Sequence, residues 1–395
     1  MSTLTEIRAI TDINLRNLPQ RARTSLVVVI GIAGVVAVLI SVLSLATGLT
    51  RTLSSTGRAE RAIVLYGSSQ SEIESNISRD AVLTVMDLPG IKRDTDGKPL
   101  ASADVVASIW LAKRDGQKGS VAFRGVTAKS FAVRPEIKLI EGRQFQTGLR
   151  EVIVGKTALQ RFAGLSLGSQ VVSGDAQWQV VGIFESAGSA YESELIADAD
   201  TVLSAFRRTT FNSVSVWLDS PTSFDTVKAA VTTNPTLTLN MHRETEYYER
   251  QSKRFGSFLA VVANVIGVIM AIGAVFGALN TMYSAVSARS VEIATLRALG
   301  FGASGVVVSV FAEALLLAIV GALCGAALAW FAFNGNTVST ISGGAGLAQV
   351  AFNLRVGADL VLIGVAWACI VGLVGGLFPA IRAARLPVAA ALREI

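Results

Sequence analysis

Four stretches of this chain are long, apolar and almost free of charge, and they dictate a membrane protein. Residues 24–50, 255–288 and 360–381 contain no Asp, Glu, Lys or Arg, and residues 298–354 contain only Glu313. Each holds a segment near or above the ~20 apolar residues that cross a bilayer. Core helices of soluble proteins rarely run that far without a charge. The overall charge, 16% of residues, also falls below the roughly 25% of a soluble protein. Between the first two runs, residues 51–254 have an ordinary soluble composition and enough length to bury a core of their own. The expected fold class is therefore a membrane protein of four transmembrane α-helices, with a large α+β extracytoplasmic domain inserted between helices 1 and 2.

The distribution of basic residues orients the chain. Arg8, Arg16, Arg21 and Arg23 face Glu6 and Asp12 before the first run; Arg289 and Arg297 flank Glu292 between the second and third; Arg382, Arg385 and Arg393 outnumber Glu394 after the fourth. Arg355 and Asp359 cancel in the remaining loop. The expected topology puts both termini in the cytoplasm. It reads 1–23 as a cytoplasmic amphipathic segment, 24–50 as span 1, 51–253 as the outer domain, and 254–288 as a stalk and span 2. Residues 289–302 form a short cytoplasmic segment, 303–333 span 3, 334–358 an outer loop, 359–381 span 4, and 382–395 a cytoplasmic tail. The net charge of +6 is thus a topology signal, and no basic–aromatic interleaving points to nucleic acid. A signal peptide is the rival for the first run, but Ser25 to Ala46 exceeds the 7–15 residues of its apolar core, which favours a retained helix.

Leu4, Ile7, Thr11, Leu15 and Leu18 recur at helical spacing before Pro19, which suits a helix lying on the inner membrane surface. In the outer domain, 121–127, 150–155, 177–184 and 213–218 have strand composition, with a hairpin turning at Gly174-Asp175. Residues 78–86 read as a helix, and Ser220-Pro221 as the start of another running to Val231. Residues 255–288 would extend about 51 Å as one helix, well beyond the ~30 Å hydrocarbon core. The Pro-free sequence before them predicts a single helix continuing from the outer domain through the membrane. Gly273/Gly277, Gly321/Gly325 and Gly372/Gly376 repeat at four-residue spacing, a helix-packing pattern in lipid.

Several chemistries are missing. His242 is the sole histidine and lies near neither Cys324 nor Cys369, both inside spans, so no metal ligand set or serine-type triad is expected. "VGKT" (154–157) ends like a phosphate loop, but Arg150 occupies the place of its first glycine, and a strand leading into a helix is expected. Glu313 admits two readings, a buried polar contact that orients helices or a carboxylate reaching headgroup water. A proton relay is disfavoured because the sequence offers it no intramembrane partner.

The segment "ARSVEIATLRALGFGAS" (288–304) joins two spans. As a helix it spreads Val291, Ile293, Leu296 and Leu299 around the wheel among charges. A helix floating on a bilayer separates its faces; one that is apolar on several sides suits a protein groove. Here the residues carry a resemblance. Arg289, Glu292, Ile293, Leu296, Arg297, Ala298, Leu299, Gly300 and the following Glu313 resemble the signature segment of the MacB/FtsX-like ABC transporter permeases, also described as LolC/LolE-type or type VII. The tail is similar to the family's ending through Pro379, Ala380, Ala384, Arg385, Pro387, Ala391, Leu392 and Arg393, and the outer domain through Gly125, Gly142, Arg143, Gly155, Gly168 and Gly182.

The resemblance implies a non-catalytic permease subunit in a bacterial inner membrane. Arg289, Glu292, Ile293, Leu296, Arg297, Leu299 and Gly300 would form a coupling helix for a separate cytoplasmic ABC ATPase. ATP and Mg would be bound by that partner, with no cofactor in this chain. A second permease copy, identical or related, would complete the assembly, and a periplasmic adaptor (membrane-fusion) protein is a further partner the resemblance leaves open. ATP-driven motion would reach the outer domain by mechanotransmission, for export, efflux or extraction. The rival reading is a signal-relay protein that moves no cargo and controls an extracytoplasmic enzyme such as a cell-wall hydrolase.

Overall fold

The computed structural model describes residues 22–173, 175–234, 236–299, 302–339 and 350–385, apart from the side chains at 22–24, 285 and 296. The amphipathic segment expected before residue 22 and the tail beyond Arg385 lie outside the described residues. The chain divides into two compact units. One comprises residues up to Thr47, Ser257–Asn336 and the chain from Leu354; the other comprises Gly48–Gly256 and Thr337–Asn353.

In chain order the helices are α1 (Ala22–Thr56), α2 (Arg79–Met86), α3 (Ser130–Val133), α4 (Lys156–Arg161), α5 (Ala199–Ala205), α6 (Ser223–Thr233), α7 (Glu244–Ala288), α8 (Ser290–Ala298), α9 (Ala303–Phe333) and α10 (Ala358–Ala384). The strands are β1 (Arg61–Tyr66), β2 (Ala101–Ala112), β3 (Lys118–Val126), β4 (Lys138–Gly142), β5 (Glu151–Gly155), β6 (Gln170–Ser173), β7 (Ala176–Glu185), β8 (Glu194–Asp198), β9 (Ser213–Trp217), β10 (Leu239–Arg243), β11 (Thr337–Ser339) and β12 (Ala351–Asn353). Among the described residues four helices, α1, α7, α9 and α10, are long and apolar enough to cross a membrane.

In the first unit these four helices pack through small residues, as lipid-embedded helices must when apolar burial gives no advantage over lipid. Val28, Ile32, Val36 and Ile40 recur every fourth residue of α1 and form one core with Ala314, Ala318 and Ala322 of α9 and Ala368 and Val371 of α10. Four of the six glycines expected at helix contacts are there. A methyl group on Gly325 would stand 2.4 Å from the carbonyl oxygen of Ala33, and one on Gly321 3.0 Å from that of Val29. Gly372 and Gly376 abut the Cβ atoms of Ala318 and Ala314. Gly273 and Gly277 differ: among the described residues, nothing beyond their own stretch of helix lies within 4 Å of the added methyl. Gly364, against Val36, and Gly375, against Ala278, are close contacts that four-residue spacing does not reveal.

The second unit is built on a ten-stranded sheet with order β10-β1-β9-β2-β3-β8-β5-β7-β4, β6 adding to β7. Most neighbours are antiparallel; β3–β8 and β5–β7 are parallel. Both faces are buried near the centre. Val152 and Val154 of β5 join one core with Phe123 and Trp178, whereas Ile153 between them joins another with Phe184 and Ile196. That is the period of two expected of a strand. The hairpin reverses between Ser173 and Ala176 as the sequence requires. Ser78 caps α2 by accepting from the Ala81 N–H. The helix expected from Ser220-Pro221 begins later, at Ser223, because the Ser220 hydroxyl bonds the hydroxyls of Thr222 and Ser223 instead of capping a backbone N–H. The outer loop expected over 334–358 also divides. Its β11–β12 hairpin belongs to this unit, with the Ala351 N–H donating to Ser193 Oγ at 3.0 Å.

Candidate functional site

Among the described residues no group of three or more His, Cys, Asp or Glu side chains is placed to hold a metal ion. "VGKT" forms the end of β5 and the start of α4. Gly155 is required there by packing: a Cβ would stand 2.2 Å from the backbone oxygen of Glu192. His242 is half-buried beside Arg250, and burial followed by the charges of Arg250 and Lys228 lowers its pKa to about 4. A cleft of about 880 Å³ opens on the second unit between Pro135 and Trp217, its lining a mixture of acids and bases such as Arg58, Glu60, Lys156 and Glu185. Neither histidine nor cysteine lines it.

The short charged segment is better defined. α7 ends at Ala288, and Arg289 turns the chain with φ −108° before α8 begins. The Arg289 carbonyl accepts from the Ile293 N–H at 2.9 Å, starting the new helix, and the Leu299 N–H closes its end on the Thr295 carbonyl at 3.0 Å. The helix has an inner and an outer side. Ile293 and Ala294 are buried, and Ile293 joins a core with Val286 of α7, Val306 and Val310 of α9 and Ala380 and Ala383 of α10. Val291 and Leu299 are 36% and 72% exposed, with Glu292, Thr295 and Ala298 also on the surface. An isolated nine-residue helix is marginal in water; this one is held by its inner side.

The strongest hold is ionic. Arg289 Nη1 and Nη2 donate to Glu313 Oε2 and Oε1, both at 3.1 Å, across a separation of 24 residues. Each side chain is 6% exposed. This is a bidentate, charge-assisted pair tying the α7–α8 junction to the third turn of α9. It bears on two expectations. Glu313 is paired with Arg289 at the α7–α8 junction, which fits the orienting contact. Arg289 and Ile293 are both buried on the inner side of α8. The outer face retains Glu292 and Leu299 from the expected set, together with the half-buried Arg297. Gly300 and the Leu296 side chain lie outside the described residues.

Comparison with known proteins agrees with this architecture. Residues 25–234 match the MacB-like periplasmic core domain and residues 264–388 the FtsX-like permease C-terminal domain. An uncharacterized ABC transporter permease of Bacillus subtilis, YknZ, is 22% identical over 411 aligned residues that cover 100% of both chains. A macrolide export ATP-binding/permease protein of Campylobacter jejuni, MacB, is 30% identical over 172 residues, 43% of this chain but only 22% of MacB. Similar solved structures include the extracellular domain of YknZ from Gram-positive bacteria, with TM-score 0.36 and 17% identity over 46% of this chain and 99% of that one. The periplasmic region of MacB from Actinobacillus actinomycetemcomitans gives TM-score 0.38 and 13% identity, covering 51% and 97%. With one family model covering more than half of its length and a second covering most of the rest, the chain belongs to the MacB/FtsX-like family of ABC transporter permeases.

Proposed function

We propose that this chain is the permease subunit of an ATP-driven export, efflux or extraction system in a bacterial inner membrane, and that α8 is its docking element for a separate cytoplasmic ABC ATPase. The observation that carries this reading is the two-sidedness of α8. Ile293 and the Arg289–Glu313 pair fix its inner side, while Val291 and Leu299 leave apolar surface outside next to Glu292. A short helix held rigidly and presenting an apolar face with a charge is what a groove on a partner can grip. Push applied there reaches α9 through the ion pair. It reaches the outer domain through α7, whose 45 residues run without a break from Glu244. ATP and Mg act in the partner; the present chain supplies the linkage between nucleotide state and the outer domain. A second permease copy completes the complex, and both termini and α8 lie on the cytoplasmic side.

Glu292→Lys tests the docking role. The variant should insert and fold normally but fail to co-purify with the ATPase, and should not stimulate its turnover. Undiminished partner binding by a correctly inserted Glu292→Lys chain would refute it.

A further inference from the structure

Three arginines are buried in the second unit, and one of them, Arg61, occupies a special place. It is the first residue of β1, five residues after α1 ends at Thr56. β1 pairs antiparallel with β10, Ala62 opposite Arg243, and α7 starts at the next residue, Glu244. The sheet therefore brings together the ends of the two helices that lead from this domain into spans 1 and 2.

Arg61 binds both ends at once. Its Nε donates to Glu244 Oε2 at 2.6 Å, and its Nη2 donates to the carbonyl of Thr56 at 3.2 Å. Nη1 donates to the Val133 carbonyl at 2.9 Å, and Nη2 also forms an ion pair with Glu136 at 2.7 Å. The side chain is 0% exposed. Burial works against its charge, but Glu244 foremost and then Glu136 outweigh that and raise its pKa. Glu244 Oε2 accepts a second bond, from the Arg58 N–H at 3.0 Å. Gly57 lets the chain pass close to the start of α7: a methyl there would stand 2.9 Å from Thr245 Cα. Farther along, Ser252 of α7 donates to Thr50 of α1 at 2.9 Å.

Further hydrogen bonds brace the start of α7. Arg134 Nε donates to the Tyr191 hydroxyl at 3.1 Å, and that hydroxyl lies 3.1 Å from the Tyr248 hydroxyl on α7. The Glu72 N–H donates to the Tyr247 hydroxyl at 3.1 Å. Glu72 in turn is gripped by both Nη atoms of Arg124 at 2.9 and 3.0 Å. Charge-assisted hydrogen bonds in a buried site hold its members in one arrangement. An apolar cluster of the same volume would stabilise a fold equally well but would not resist sliding or rotation of two helix ends.

We propose that Arg61 is a positioning residue that locks the domain ends of α1 and α7 into one joint, so that motion arriving along either helix moves the β-sheet as a body. The proposal rests on the mechanical reading given above. Arg61→Lys is the informative variant. It keeps a positive charge for Glu136 and Glu244, but a single ammonium lacks the planar fork that reaches Thr56, Val133 and Glu244 together. Glu244→Gln is the second variant, preserving an acceptor for Arg61 while removing the charge.

The experiment uses the full chain in lipid nanodiscs, with its ATPase, in a background with Cys324 and Cys369 replaced by alanine. An environment-sensitive fluorophore is placed at Asp115→Cys on the β2–β3 turn. Hydrogen exchange is followed at residues 57–66 and 244–250 with the ATPase absent. In Arg61→Lys those amides should exchange roughly tenfold faster or more, as expected for loss of charge-assisted bonds. ATP turnover should be retained, and the ATP-dependent fluorescence change should be lost, with Glu244→Gln showing the same pattern more weakly. A retained fluorescence response, or unaltered exchange in both variants, would overturn the proposal. If the wild-type label ignores ATP, the mechanical reading fails and the transmitting role with it; the exchange measurement still reports separately whether Arg61 holds the helix ends.

Discussion

Replacing Glu313 by leucine and Arg289 by methionine, singly and together, gives a sharp test of how α8 is held. The pair consists of two charge-assisted bonds at 3.1 Å between side chains that are each 6% exposed. Removing one partner leaves a buried charge, a loss of about 3–5 kcal/mol. Glu313→Leu leaves the guanidinium without its partner, and Arg289→Met does the same to the carboxylate. The double variant replaces the pair with apolar groups of similar reach, and should cost less than either single. Unfolding in mixed micelles measures stability, and ATPase pull-down measures whether α8 is still presented. Both should fall in the singles and recover in the double. Additive losses, with the double variant the worst of the three, would refute the idea that the two side chains act as one clamp.

Glycine contacts and one histidine give further outcomes. Gly325→Ala should destabilise the membrane unit by about 1–3 kcal/mol, because its methyl would stand 2.4 Å from the Ala33 carbonyl; Gly273→Ala, with no described residue beyond its own stretch of helix within 4 Å, should be neutral or slightly stabilising in the same unfolding assay. Burial, and then the charges of Arg250 and Lys228, lower the pKa of His242 from the ordinary 6.5 to about 4. Between those values the unfolded chain binds more protons, so this residue's contribution to stability is present above pH 6.5 and is lost as the pH falls towards 4. His242→Gln should flatten that part of the pH–stability curve.

The spans were legible because absence of charge is a local property, and a helix crossing lipid must satisfy its backbone within one segment. Strands β3, β5, β7 and β9 were legible from β-branched and aromatic composition. β8 was not: its sequence, ELIAD, begins and ends with an acid. Glu194 tolerates burial through Arg124, whose Nε donates to it at 2.6 Å, and Asp198 caps α5 by accepting from Thr201. Both reasons lie elsewhere in the chain. β2 has small and polar residues buried on both faces, so it shows no alternation. The same limit explains Arg289. The family resemblance placed it with the docking residues, but the group that claims it is 24 residues away on another helix. The Arg61 joint had no local signal at all, since its partner Glu244 is 183 residues distant.

The proposed coupling requires α8 to be a cytoplasmic docking helix on the opposite side of the membrane from the large domain. The direct measurement is modification of Thr295→Cys and Asp115→Cys by a membrane-impermeant thiol reagent, in sealed vesicles of each orientation and with the ATPase present or absent. Thr295→Cys should react from the cytoplasmic side alone and be shielded when the ATPase is bound, while Asp115→Cys reacts from the outer side alone. Reaction of both positions from one side would contradict the account.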